Sequence, residues 1–159
     1  MEEKNMWGQF HFIRSRTIQS LKNITEETAN QVPEGYRNSI KWNIGHILIT
    51  YDNLLAKFTS NGEKQISDKI TPFFSGGTSP ETWESEPSSL DELLELLKKQ
   101  QGEIISLYSG RLEEPLTSRI TFTEQTEMDT IRDLLQFTYW HEGLHQGVIN
   151  GLKYSLGQM

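Results

Sequence analysis

The stretch Thr130–Leu156 reads TIRDLLQFTYWHEGLHQGVINGLKYSL, and its periodicity decides the fold. Ile131, Leu134, Thr138, His141, His145, Val148 and Leu152 follow one another by alternate steps of three and four. That spacing draws a single stripe down an α-helix. Thr130, with Asp133 three residues on, marks the helix start.

Three further stretches carry the same period. The first runs from about Met6 to Ala29 on a stripe of Phe10, Ile13, Thr17, Leu21 and Ile24, and stops before Val32-Pro33-Glu34-Gly35. The second opens at Ser39 as N-cap and reaches about Phe58, where Ser60-Asn61-Gly62 ends it. The third opens with Ser89 and Glu92 in capping-box spacing and carries Leu90, Leu93, Leu97, Ile104 and Leu107 to about Leu112. These predict an all-α four-helix bundle, a single domain over residues 1–159, with long connections between helices two and three and between helices three and four. The 61–88 connection holds Pro72, Gly76-Gly77, Pro80 and Pro87 beside Phe73, Phe74 and Trp83. It is expected to pack, to carry a short helix near Glu81, or to cover a site. The second, Glu113 to Asp129, alternates around Ile120 and Phe122 and allows a short extended segment.

Composition narrows the function. With 15 Lys and Arg against 22 Asp and Glu the net charge is −7, and no basic run exceeds Lys98-Lys99, which argues against a nucleic-acid partner. The absence of Cys excludes disulfides, thiolate metal sites and a cysteine nucleophile. An acidic, polar start and apolar runs of only about four residues argue against a membrane partner and for a cytoplasmic location.

His141 and His145 lie where apolar residues belong, four apart on one face, so two imidazoles can meet one divalent ion. The alternative is a pair of structural histidines bonded to backbone or Tyr in the core. A catalytic site needs a third protein ligand, and only His46 and His11 remain as imidazoles. His11, beside Trp7, reads as a partly exposed residue with little claim to be a ligand. Helix two is apolar on two arcs, Ile40, Ile44, Ile47, Leu48, Tyr51, Leu55 and Phe58 against Trp42, His46, Ile49 and Asn53. Such a helix is central or is covered by a partner subunit, and a homodimer is expected.

His141-Glu142-Gly143-Leu144-His145 also spells H-E-x-x-H, in which a glutamate serves as general base in zinc peptidases. Those enzymes usually take a third ligand from downstream, and the fourteen residues after His145 hold no Asp, Glu or His. A metal-dependent hydrolase or peptidase is therefore the lesser reading.

Trp42 to Ile47, with His46 after a Trp and small residues, and Thr130-Ile131-Arg132-Asp133-Leu134-Leu135 leading into His141-Glu142-Gly143-Leu144-His145-Gln146-Gly147, resemble the DinB-like superfamily of small four-helix metal proteins. Chain length and helix order agree. The resemblance implies a metal triad of His46, His141 and His145, because in that family helices two and four meet around the ion. It also implies a divalent metal, Zn or Ni first, and a metal-dependent transferase, such as a thiol S-transferase using a low-molecular-weight thiol on a small electrophile. The chain departs from close relatives after the last His, where Gln146-Gly147-Val148 stands. Physically, three neutral imidazoles leave an ion its full charge and an open position, and the thiol must come from a co-substrate because the chain has none. A non-catalytic metal-binding or stress-associated helical dimer is the alternative. Glu142 is the catalytic candidate, as base or as hydrogen-bond acceptor for a ligand. Gln146 and Asn150 follow it at spacing four, with a solvated polar face as their alternative. Asn43 and Tyr51 read as packing residues, and Trp83 and Phe74 as loop packing or a hydrophobic rim.

Overall fold

The computed structural model describes residues 2–158. Four long helices form where the periodicity places them: α1 (Glu3–Ser20), α3 (Ile40–Phe58), α5 (Leu90–Tyr108) and α6 (Ile131–Ser155). Short helices α2 (Glu26–Asn30) and α4 (Thr71–Phe74) and a 3-10 turn (Pro80–Thr82) fill the connections. The caps are local chemistry. The side chains of Ser39, Ser89 and Thr130 accept from the backbone N–H of Trp42, Glu92 and Asp133, and the latter two sites close as capping boxes. No helix of the described residues is long and apolar enough to cross a membrane.

One expectation is corrected. The first helix does not run to Ala29: it ends at Ser20, Asn23 takes a left-handed φ of 68°, and Thr25 caps the separate helix α2. Asn tolerates that conformation better than most residues, and the threonine oxygen caps the start of α2 by accepting from the Thr28 N–H. The mostly helical bundle is roughly the expected one, and the second connection holds the extended segment its sequence allows: Pro115–Thr123 (β1) and Thr126–Thr130 (β2) form an antiparallel hairpin, in register at Ile120 and Met128. Only Leu116 and Met128 of this hairpin are buried, so it leaves almost no alternating apolar pattern to read.

Helix α3 is the central element. Residues on all its faces are buried, from Ile40, Trp42 and Asn43 to Ile49, Tyr51 and Leu55. Its two apolar arcs are thus both covered within one chain, and centrality accounts for the pattern that suggested a partner subunit. Even Lys41 is buried, its ammonium 2.5 Å from Glu26, whose other oxygen accepts from the Leu90 N–H. That carboxylate ties α2 to α3 and to the start of α5.

A buried ion pair joins all four long helices. Arg14 of α1 and Glu142 of α6 are both fully buried, with guanidinium-to-carboxylate distances of 3.0, 3.1 and 3.3 Å. Thr17 donates to the same carboxylate at 2.6 Å. Arg14 also donates to the Leu97 carbonyl of α5 at 2.7 Å and lies against the rings of Phe10 and Tyr51, about 5 Å from each centroid. Gln100 of α5 completes the ring, accepting from Arg14 and donating to the Leu48 carbonyl of α3. A lone charge here would be severely penalised, whereas the satisfied pair is tolerated and fixes how the helices face one another. Arg14→Met leaves Glu142 buried and unpaired and is expected to cost about 3–5 kcal/mol in urea unfolding. Adding Glu142→Leu should recover most of that loss; a double variant as unstable as the single one would count against this account.

Candidate metal centre

Residues 141, 142 and 145 share one helix, so the pair that aims Glu142 at α1 also sets the direction of the histidines. Glu142 lies about 100° around α6 from His141, and His145 about 40°. With the glutamate directed to Arg14, both imidazoles face the N-terminal half of α3, where His46 meets them. The ring centroids lie 4.5 Å apart for His141 and His145, 4.9 Å for His46 and His145, and 5.2 Å for His46 and His141. One nitrogen from each ring lies within 4.8 Å of the others, a spacing one ion can bridge.

Two of the three rings are oriented by a hydrogen-bonding neighbour. His46 donates from Nδ1 to the Phe74 carbonyl at 2.7 Å and stacks on Trp42 at 4.6 Å and 11°. His145 donates from Nδ1 to Asn43 Oδ1 at 2.7 Å, while Asn43 Nδ2 donates to the Ser39 carbonyl and so fixes which way the amide points. Both acceptors hold the proton on Nδ1 and leave Nε2 as a lone-pair donor, the arrangement found around metal-ligating histidines. The Nδ1 of His141 is buried without a hydrogen-bond partner. An orphaned imidazole nitrogen carries a desolvation cost that a metal ion in the cluster would offset.

The charge state suits the same ligand. Burial pushes His145 down to about 3, helped by His141 and His46, and pushes His141 down to about 4, helped by His46. His46 is lowered too, by burial, with its bond to Phe74 opposing. All three are therefore neutral near pH 7, as metal ligation requires.

The 61–88 connection packs and builds part of the site. The Phe74 ring is fully buried against Gly45, where a Cβ would sit 2.3 Å from Cγ of the ring. Only glycine lets the ring lie flat on α3, one residue before His46, with its carbonyl aimed at the imidazole. Trp42 Nε1 donates to Thr78 Oγ1 and Trp83 Nε1 to the Phe73 carbonyl, pinning the same loop.

The structure brings together His46, His141 and His145 and leaves the other candidates outside the cluster. The Glu142 carboxylate is engaged by Arg14 and Thr17. Gln146 donates to the Ile13 carbonyl and to Thr17, Asn150 is exposed, and exposed His11 takes no part. Tyr51 is buried under Arg14, a packing role as expected, while Asn43, also read as packing, orients a histidine. Sequence reading missed Arg14 and the Phe74 carbonyl. The only trace of either was Gly45 beside His46.

A helical bundle that brings three imidazoles together from two of its helices has a site that could hold a metal ion between them. A family model of the DinB superfamily matches residues 9–149, and the chain belongs to that superfamily. No curated protein matches it.

Gly45→Ala is expected to cost about 1–3 kcal/mol through overpacking against Phe74. By displacing the carbonyl that orients His46, it should also weaken metal uptake about 10–100-fold. Urea unfolding and competition with a chelator measure the two effects separately.

Proposed function

We propose that the protein binds a divalent metal ion through His46, His141 and His145, and uses it to transfer a low-molecular-weight thiol to a small electrophile. The observation that carries the metal reading is the pairing of two tautomer-locked histidines with a third whose buried Nδ1 has no partner. Zn or Ni suits three imidazoles best, with Fe and Mn as weaker fits to the donor set. A bound divalent ion with three neutral protein ligands supplies Lewis acidity at an open position, which lowers the pKa of a thiol or water there to near neutrality.

The chain's own residues do the rest. Phe74 and Asn43 hold the protons on Nδ1 of His46 and His145, so neither ring needs to lose one before ligation. Glu142 acts as a positioning residue, because its oxygens are taken up by Arg14 and Thr17 rather than free to accept a proton at the centre. That arrangement supports transfer over peptide hydrolysis, which would need the glutamate as base. With no Cys in the chain, sulfur comes from the co-substrate. Its S–C bond to the electrophile forms as the carbon–leaving-group bond breaks, and the thiol proton departs to solvent or with the leaving group.

A second reading, a binding protein without turnover, shares every feature of the site up to the open position. Elemental analysis of untagged protein should find about one equivalent of Zn or Ni, and background levels in His145→Ala. Metal-loaded wild type should then consume thiol in the presence of a haloarene or epoxide faster than His145→Ala does. Metal without thiol consumption would favour the binding protein, and background metal in both proteins would overturn the site.

A further inference from the structure

The flank of α6 beside the histidines has a character of its own. On the Glu142 side the centre is closed by α1, through Arg14, Thr17 and the Gln146 bond to Ile13. Opposite α6 it is closed by α3 and the Phe74 segment. The remaining flank, about 40–100° around α6 from His141 and away from Glu142, carries Phe137, Leu144 and Trp140. Leu144 and Trp140 are 51% and 60% exposed. Phe122 of β1, 56% exposed, lies 5.0 Å from Phe137, which is 5.5 Å from Trp140 and 6.3 Å from His141 between ring centroids. A chain of rings thus leads from the surface to a candidate ligand. Between Asp133 and Lys153 the only charged residue of α6 is Glu142, which faces away, and Gly143 and Gly147 border open space.

Resting on the metal reading above, we propose that Phe137, Leu144, Trp140 and Phe122 form an apolar wall that seats a flat, uncharged, aromatic body of the molecule engaging the centre. The ligand class is then an aryl or arylalkyl compound rather than a small polar or anionic one. A second copy of the chain is the competing occupant. An aromatic side chain buries about 150–250 Å² in full, so three roughly half-exposed side chains and the partly buried Phe137 present about 350–400 Å². A stable interface needs about 800 Å² from each partner, and the wall is the size of a small molecule instead.

The test uses the whole protein loaded with Co²⁺ and titrated with two thiols, benzyl mercaptan and 2-mercaptoethanol, followed by the near-ultraviolet sulfur-to-cobalt band. Wild type should bind benzyl mercaptan at least about tenfold tighter. Phe137→Ala and, independently, Leu144→Ser should each shrink that preference severalfold while cobalt stoichiometry stays the same. Equal affinities in wild type, or a preference untouched in both variants, would overturn the wall while leaving the metal centre intact. Failure to take up cobalt at all would overturn the metal reading and this inference with it. Equal affinities together with a concentration-dependent dimer that Phe137→Ala dissolves would assign the face to a second copy.

Discussion

The fold turns on one buried charge pair. Arg14 and Glu142 are 128 residues apart in sequence, and Leu97 and Gln100 of α5 complete their hydrogen bonding. Desolvating two charges is expensive, and an apolar replacement of the same shape is often as stable. What the pair contributes is orientation. An apolar stripe tolerates small rotations of a helix about its axis, but a carboxylate that must meet a guanidinium and a threonine hydroxyl does not. Because His141 precedes Glu142 and His145 lies three residues beyond it, fixing one side chain toward α1 turns the other two toward α3. The site's geometry is in this sense set by an interaction on the opposite side of α6.

The same division of labour appears on α3. Ser39 caps the helix and receives Asn43 Nδ2 at its carbonyl, and Asn43 then directs His145. Gly45 opens the space into which Phe74 packs, and the Phe74 carbonyl directs His46. In each case a residue outside the histidine cluster holds one within it, across elements: Asn43 of α3 holds His145 of α6, and Phe74 of the 61–88 connection holds His46 of α3. The long 61–88 connection is therefore not an embellishment of the bundle. Through Phe74 and Thr78 it is clamped to α3, and it shapes the histidine cluster from outside the helices.

Much of this was legible in the sequence, for reasons specific to each element. The α6 stripe, the Ser89–Glu92 box and the Ser39 cap are signals confined to a few neighbouring residues, and local signals survive folding. The histidine pair stood out because polar residues on an apolar stripe demand a reason, and His46 followed from resemblance to a family. Arg14 was not legible, since an arginine beside apolar residues ordinarily reaches solvent and its partner lies on another helix. Glu142 was misleading for the same reason: H-E-x-x-H spacing names a chemistry, while the residue's direction depends on α1. The break at Asn23 was hidden because Leu21 and Ile24 continue the helical period through it. The hairpin was faint because its residues face solvent on both sides and need not alternate.

On the proposed reading, three histidines, and not the intervening glutamate, hold one ion. Anomalous diffraction at the zinc edge, from crystals of the protein loaded with Zn²⁺, tests it most directly. A single peak is expected about 2.0–2.1 Å from a nitrogen of each of His46, His141 and His145, with Glu142 still bonded to Arg14. A peak ligated by only two of these histidines, or by Glu142 drawn away from Arg14, would contradict it.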